Sequence, residues 1–317
     1  MDKKFVTVIG SYNVGLFFKG QAIPKIGETV IGEEFYEGGG GKGSNQAVAA
    51  SLMGAKTRFI GRLGNDKYGN DAIDMYKKLD IDTSAIKIDS GIHTGIGPIF
   101  IDSRGQNSIM VVPGANYNLS REDIDSMEDI IRDSCIVGFQ LENRLDVVEY
   151  AIKKAHSLGV RTLLDPAPAA RLTEDLYPFI YYIKPNEHEA TVLTGIEVVD
   201  VKSAERAGRW FIERGVNTAI ITLGEGGSVL VNDSKTQYFP AAEVVPLDTT
   251  GAGDCFSGAF MARLSDGGNV EDAIVFATCA AAISVTRLGV TDAIPNLNEV
   301  YEFIKRGSNN EKRDDRS

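Results

Sequence analysis

Residues 248–254 read DTTGAGD and lie between a strand-like stretch, AEVVPL, and a helix-like run, CFSGAFMARL. Gly251 and Gly253 let backbone N–H groups converge without obstruction by a Cβ atom. The N-terminus of the helix that follows adds free N–H donors and partial positive charge. The segment therefore predicts a strand–turn–helix unit with an anion-binding turn, as found in α/β folds.

Asp254 stands in the first turn of this predicted helix. A carboxylate at that place can simply stabilise a helix start, and spacing alone does not exclude this role. The chemical alternative is a general base that takes a proton from a hydroxyl group as the hydroxyl attacks phosphorus. Gly251, Ala252 and Gly253 would then hold the charge of the transferred group.

Outward from this segment, short apolar runs alternate with helix-like stretches. Strands are predicted at 5–10, 57–61, 135–139, 161–165, 180–183 and 218–222, and helices at 44–54, 69–80, 121–132, 145–158, 186–194, 203–214, 253–265 and 270–286. This alternation indicates a mostly parallel sheet flanked by helices on both faces. We therefore predict an α/β core built from residues 1–14, 38–93 and 113–306.

Two segments, 15–37 and 94–112, interrupt the alternation with short apolar runs and Gly or Pro turns. The second resembles a hairpin around residues 103–106. We predict that both segments form a discontinuous β lid beside the core, with two unrelated surface excursions as the alternative. Residues 307–317, GSNNEKRDDRS, are polar and predict a disordered tail.

Composition argues against several classes of protein. The 317 residues include 33 basic and 44 acidic side chains, a net charge of -11 that disfavours a nucleic-acid partner. Three separated cysteines show no metal-binding spacing and are typical of reduced thiols in the cytoplasm. The apolar run at 5–9 is too short for a signal peptide, and no run has the length of a membrane span. We therefore expect a cytoplasmic protein without a membrane segment.

A second glycine-rich motif, GGGGKGSNQ at 38–46, leads into a predicted helix. Its glycines permit close approach of a ligand to the backbone, and Lys42 and Asn45 supply polar side chains. The motif is not a Walker loop, because the glycine spacing is wrong and Gly43 replaces Ser or Thr. The first strand leads into GSYNVG, which lacks the dinucleotide fingerprint and counts against an oxidoreductase.

Two further motifs follow predicted strands. In KPNEHE at 184–189, Asn186 and Glu189 have the spacing of a helix capping box, which explains both residues without any ligand. In TLGEGG at 222–227, a strand runs into a glycine-rich turn that can wrap a nucleotide phosphate or ribose. Each motif taken alone leaves its role open.

Taken together, G-S-x-N at 10–13, GGKG-x-NQA at 40–47, PNE-x-E at 185–189, TLG-x-x-G at 222–227 and DTTGAGD at 248–254 resemble the ribokinase branch of the PfkB carbohydrate kinases. The resemblance extends from residue 5 to about residue 304 and includes ETVIG at 28–32, DPAPA at 165–169 and AAAISVTRLG at 280–289. It implies a large α/β domain with a small β lid. It also implies ATP as phosphoryl donor, with Mg²⁺.

The resemblance implies site residues as well. Asp254 matches the family's catalytic base, and its anion hole matches Gly251, Ala252 and Gly253. The sugar-binding positions carry over to Asn13, Gly40, Gly41, Lys42, Asn45 and Glu142. The ATP-binding positions carry over to Asn186, Glu189, Thr222, Gly224, Gly227 and Thr278. An activating monovalent cation, usually K⁺, would be held at Asp248, Thr250, Ser284, Arg287 and Gly289.

Two positions depart from the family pattern. Ala293 stands where the last cation ligand is often a Ser hydroxyl, so K⁺ activation is expected with one ligand fewer. Gly15 stands where an Asp commonly binds sugar hydroxyls. Either a turn requires positive φ at this glycine, or the pocket has lost a contact and gained space. The second reading predicts a non-ribose sugar or sugar derivative as acceptor.

Other assignments stay open on the sequence alone: a D-ribose kinase, a nucleoside kinase, or a sugar or nucleotide sensor that has lost catalysis. The presence of Asp254 favours an enzyme over a sensor. The short lid segments also carry more apolar surface than they can bury alone, which predicts a homodimer through the lid. The residues concerned are Phe17, Phe18, Ile99, Phe100 and Ile101.

Overall fold

The computed structural model describes the backbone of residues 5–314 and the side chains of residues 5–306. The strands, in chain order, are β1 Phe5–Ile9, β2 Asn13–Lys19, β3 Glu34–Gly40, β4 Thr57–Gly64, β5 Ile81–Asp82, β6 Ile86–Asp89, β7 Gly95–Ile101, β8 Asn107–Ile109, β9 Ser134–Phe139, β10 Arg161–Leu164, β11 Tyr182–Ile183, β12 Thr218–Thr222, β13 Ser228–Asn232 and β14 Thr236–Phe239. The helices are α1 Lys42–Leu52, α2 Lys67–Lys78, α3 Arg121–Ser126, α4 Glu128–Arg132, α5 Leu145–Ser157, α6 Glu187–Thr194, α7 Val201–Glu213, α8 Ala252–Ser265, α9 Val270–Ser284 and α10 Leu297–Asp314.

The larger sheet is mostly parallel and carries the core. Within residues 5–314 it has ten strands in the order β14-β13-β12-β11-β10-β9-β1-β4-β5, and β6 pairs with β4 beside this path. The pairs from β4 across β1 to β12 are parallel, and β13 and β14 add an antiparallel edge. The parallel strands place their carboxyl ends along one edge, where ligands bind in open α/β sheets.

Helices cover both faces of this sheet. One core contains Val6 and Val8 of β1 and packs against α1, α8 and α9. The other contains Val137 and Phe139 of β9 and packs against α5 and α7. Because strands in a parallel sheet are buried on both faces, β1 and β9 read as nearly continuous apolar runs. The predicted fold class is confirmed.

The two segments that interrupt the α/β rhythm pair with each other. Over residues 5–314 they form a four-stranded sheet in the order β3-β2-β7-β8, with β2 parallel to β7 and antiparallel to β3. β7 and β8 make the predicted hairpin, with Gly105 at φ 77° in its turn. The lid is therefore one sheet, because β2 pairs with both distant segments. Its strands begin at Asn13 and end at Gly40, slightly beyond the predicted lid bounds.

The structure differs from the sequence predictions at several places, among them the division of the predicted helix 121–132 into α3 and α4. The stretch before Asp248 is a loop and not a strand, since Leu247 donates its N–H to the Val285 carbonyl and Val245 is exposed. The hairpin β13–β14 was not predicted. Helix α10 continues to Asp314, so the predicted tail is helical over 307–314, because extending an existing helix costs far less than nucleating one. Residues 315–317 lie outside the described residues.

Within the same described part of the chain, no helix has both the length and the apolar character needed to cross a membrane.

Candidate active site

The turn at 248–251 leads into α8 as the motif predicted. Gly251 has φ 77°, a left-handed conformation, and a Cβ there would lie 2.7 Å from Cγ1 of Val290, so only glycine fits. The first N–H groups of α8 have no carbonyl partners within the helix and point out of its N-terminus. Gly253 has no side chain that could block access to these groups. A Cβ on Gly253 would lie 3.5 Å from the Lys184 ammonium. This geometry is suited to binding an anion, with a lysine at its side.

Asp254 is buried directly behind that turn, with 4% of its surface exposed. Asn45 Nδ2 donates to one carboxylate oxygen at 2.9 Å, and Gln46 Nε2 lies 3.4 Å from the other. Burial raises the pKa of Asp254 to about 6, and Asp165 adds to this rise, while Lys42 opposes it. A carboxylate with a pKa near neutrality is suited to accept a proton.

One carboxylate oxygen of Glu142 connects the loop after β1, the start of β2 and the start of α1. Its Oε2 accepts hydrogen bonds from Ser11 Oγ at 2.5 Å, the Lys42 backbone N–H at 2.9 Å and Asn13 Nδ2 at 3.4 Å. The negative charge of Asp254 is the main reason that the pKa of the Lys42 ammonium is raised. The side chains predicted to bind sugar therefore lie close to one another and to the candidate base.

Glycines bring the backbone of this region close together. A Cβ on Gly41, which has φ 89°, would lie 2.7 Å from the Asn13 backbone N. Gly40 ends β3, so the lid strand runs directly into the turn that was predicted to bind sugar. In addition, Asn45 Oδ1 is buried without a hydrogen-bond partner among the described residues. A buried acceptor without a partner, next to the candidate base, is suited to a hydroxyl group of a ligand.

A buried polar network supports Asp254, and the sequence analysis assigned no role to its members. Gln46 Nε2 also donates to Asp165 Oδ2 at 3.0 Å, and Ser257 Oγ donates to the same oxygen at 3.0 Å. Lys184 pairs with Asp165 Oδ1 at 3.3 Å, and both side chains are almost fully buried. Asp165 follows β10 and Lys184 follows β11, so charged residues just after apolar strands were the available signal.

The predicted ATP-binding motifs meet at the ends of β11 and β12. Asn186 and Glu189 form a complete capping box at the start of α6, so that interpretation is confirmed. Burial raises the pKa of Glu189, which also lies near Asp165. Thr222 donates its N–H to the Pro185 carbonyl at 3.0 Å, tying the two motifs together.

The turn after Thr222 is tightly packed. Gly227 has φ 84°, and a Cβ there would lie 2.1 Å from the Phe239 carbonyl oxygen. Gly224 faces α6, with Glu187 Oε1 3.9 Å from its Cβ position. Thr278 is half-buried on α9, the helix that packs against α8.

Two loops meet where the monovalent cation was predicted. Asp248 accepts hydrogen bonds from the Thr250 N–H at 2.9 Å and the Gly289 N–H at 3.3 Å. Leu247 and Asp248 donate their N–H groups to the Val285 carbonyl, so the loops at 247–250 and 284–289 are in contact. Ala293 is buried nearby and supplies no side-chain oxygen. The donor set is oxygen-based with one fixed carboxylate, which suits a hard cation.

A helix N-terminus suited to phosphate, a buried carboxylate beside it and a cluster of polar side chains next to the lid sheet fit an enzyme that phosphorylates a hydroxyl group. Residues 3–297 match the family described as pfkB family carbohydrate kinase. The chain belongs to this family and is an ATP-dependent sugar kinase.

The relatives agree with this assignment. A ribokinase of Haemophilus influenzae is 39% identical over 303 residues, covering 96% of this chain and 99% of the relative. A deoxyribokinase of Salmonella typhi is 34% identical over 300 residues, covering 94% and 98%. A ribokinase structure from Thermotoga maritima superposes with a TM-score of 0.89 at 38% identity, covering 95% and 99%. The structure of Arabidopsis thaliana ribokinase complexed with ribose and ATP gives 0.87 at 29% identity, covering 96% and 99%.

Proposed function

We propose that the enzyme transfers the γ-phosphoryl group of ATP to a sugar hydroxyl with Asp254 as general base. The observation that carries this proposal is the position of Asp254, buried behind the N-terminus of α8 and bonded to Asn45. The carboxylate takes the hydroxyl proton while the sugar oxygen forms its bond to phosphorus. The bond from the γ-phosphorus to the β–γ bridging oxygen breaks, and ADP leaves with that oxygen.

The charge on the transferred group would be held by the anion hole at 251–253 and by Lys184. The N–H groups at the start of α8 and the Lys184 ammonium converge on the same space. Asp165 holds the ammonium in place through the buried pair at 3.3 Å. Asn13, Lys42 and Glu142 would orient the sugar beside this space.

The residues near Asn186 and Glu189 fit the requirements of a magnesium ion bound with ATP. Mg²⁺ keeps several waters and binds through few carboxylates, and Glu189 is a buried carboxylate at the start of α6, next to the turn predicted to bind nucleotide. When bound, the ion would neutralise charge on the phosphates of ATP. For K⁺, the contacting loops at 247–250 and 284–289 would supply mainly carbonyl oxygens together with Asp248.

Two observations bear on the identity of the sugar, and they favour different acceptors. The names of the relatives, ribokinase and deoxyribokinase, favour a pentose. Gly15 replaces the aspartate that commonly binds sugar hydroxyls in the family, which favours an acceptor other than D-ribose. The experiment is an ADP-release assay over pentoses, deoxypentoses, hexoses, polyols and nucleosides.

The same assay includes Asp254→Asn, with Asp233→Asn as a control, because Asp233 is an exposed carboxylate in the β13–β14 turn. We expect ADP release that depends on a sugar and is lost only in Asp254→Asn. Release that is independent of every acceptor, or equal in both variants, would refute the proposal.

We also propose a homodimer formed through the lid, in the cytoplasm. The lid exposes Phe18, Phe35 and Ile109, and two lids packed together would cover this apolar surface. No disulfide bond joins the cysteines of the described residues, in keeping with a reducing compartment.

A further inference from the structure

A row of glycines crosses the lid on the face that carries Asn13. The register of β2 aligns Gly15 with Gly38 on β3 and with Gly97 on β7. Alternate residues of a strand point to the same face, so this row is the next one after Asn13 on the side of the sugar pocket. At this register position, three adjacent strands therefore carry no side chain.

The ring of Phe17 fills the space above this row. Phe17 stacks on Tyr36 with ring centroids 4.5 Å apart and an angle of 6° between the planes. A Cβ on Gly15 would lie 2.7 Å from Cε2 and 3.1 Å from Cζ of Phe17, and one on Gly38 would lie 3.4 Å from Cε2. The outer edge of the ring therefore leans back over the glycines, toward Asn13.

Both expectations for Gly15 are corrected by this arrangement. Gly15 lies within β2 and is not among the described glycines with positive φ, so its backbone does not require glycine. The space left by the missing side chain is not open to a larger substituent, because Phe17 occupies it. A Cβ at this position would displace the ring of Phe17 from where it lies.

Resting on the proposed function, we infer that Phe17 is a specificity-determining residue that selects a sugar with a C–H surface where the family commonly binds hydroxyls. Two residues of a strand span about 6.8 Å, so a ring that leans back from position 17 over Gly15 lies one residue row from Asn13, at the edge of the predicted pocket. A carboxylate there accepts hydrogen bonds from hydroxyls, whereas the edge of a phenyl ring accepts none.

The chemistry gives the class of acceptor. A sugar hydroxyl directed at Phe17 loses its hydrogen bonds to water without replacement, whereas a methylene group packs against the ring. Apolar pockets reject an added hydroxyl by at most about 100-fold. The preferred acceptor is therefore a deoxy sugar, with its missing hydroxyl on the side of the lid.

The test compares kcat/KM for D-ribose, 2-deoxy-D-ribose and 3-deoxy-D-ribose. We expect at least one deoxy sugar to be preferred over D-ribose by about 10–100-fold in the native enzyme. Phe17→Ala should reduce this preference about tenfold. Gly15→Asp alone should impair both substrates, because its Cβ meets the ring, whereas Gly15→Asp with Phe17→Ala should favour D-ribose.

Phe18→Ala is the matched control. Phe18 is the next residue of the same strand, points to the opposite face and contacts Phe35 and Phe100, so its loss disturbs the lid without changing the pocket. In Phe18→Ala, the ratio of kcat/KM for the preferred deoxy sugar to kcat/KM for D-ribose should equal the ratio in the native enzyme. Equal ratios in Phe17→Ala and native enzyme, or a native preference for D-ribose over both deoxy sugars, would overturn the inference while leaving the kinase intact. Absence of sugar-dependent ADP release would refute the proposed function itself.

Discussion

Replacing Asp254 with alanine removes the candidate base from a position that is 4% exposed. A positioned general base contributes about 10²–10⁴ in rate, so kcat should fall by this factor, which is about 2.7–5.4 kcal/mol of transition-state stabilisation. The KM for ATP should change little, because the carboxylate contacts Asn45 and Gln46 of α1, the helix that follows the predicted sugar-binding turn.

The contacts of Asp254 also indicate how much Asp254→Ala should change the free energy of unfolding. The variant leaves the Asn45 amide without its acceptor at 2.9 Å, a loss of about 1–3 kcal/mol, while Gln46 keeps its bond to Asp165. Removal of a buried carboxylate offsets part of this cost. The assay is coupled ADP release at saturating sugar, with thermal unfolding and ATP titration on the same preparation. A folded Asp254→Ala enzyme that binds ATP and keeps kcat within tenfold of native would refute the role of Asp254.

Three further outcomes are expected. Because burial raises the pKa of Asp254 to about 6 and the base acts when deprotonated, kcat/KM should decline as pH falls through about 6, and a rate independent of pH from 5 to 8 would contradict this. K⁺ should raise activity, and Asp248→Asn should weaken the response. Equal rates in K⁺, Na⁺ and a bulky organic cation would instead mean that the site with Ala293 binds no cation. Sedimentation should give a dimer at micromolar protein, and a monomer would argue against pairing through the lid.

The α/β core was predictable because its signals are local. Apolar runs such as 5–9 and 218–222 are bounded by turns and alternate with amphipathic stretches, and this periodicity depends only on neighbouring residues. The capping box of Asn186 and Glu189 and the start of a helix after the glycine-rich turn at 248–254 were likewise readable from spacing. The hairpin β13–β14 was missed because it is a short edge element, with Gln237 and Tyr238 exposed and little apolar alternation.

The residues of the candidate site could be predicted from the sequence, but their arrangement required the tertiary structure. The sequence determined which residues could do chemistry, since motifs such as DTTGAGD carry their residue types in a fixed local order. It could not show that Asp165 and Lys184 form a buried pair, nor that Gln46 links Asp165 to Asp254, because these residues are far apart in the chain and meet only through strand order.

Gly15 shows most directly what tertiary structure decided. The sequence determined that a glycine replaces a carboxylate in a lid strand, and from that alone a vacant pocket was the natural expectation. Only the pairing of β2 with β3 places Phe17 against Tyr36 and turns its ring over Gly15 and Gly38. The direction of a side chain depends on the neighbours it packs against, and for a lid strand those neighbours come from segments that the local sequence does not specify.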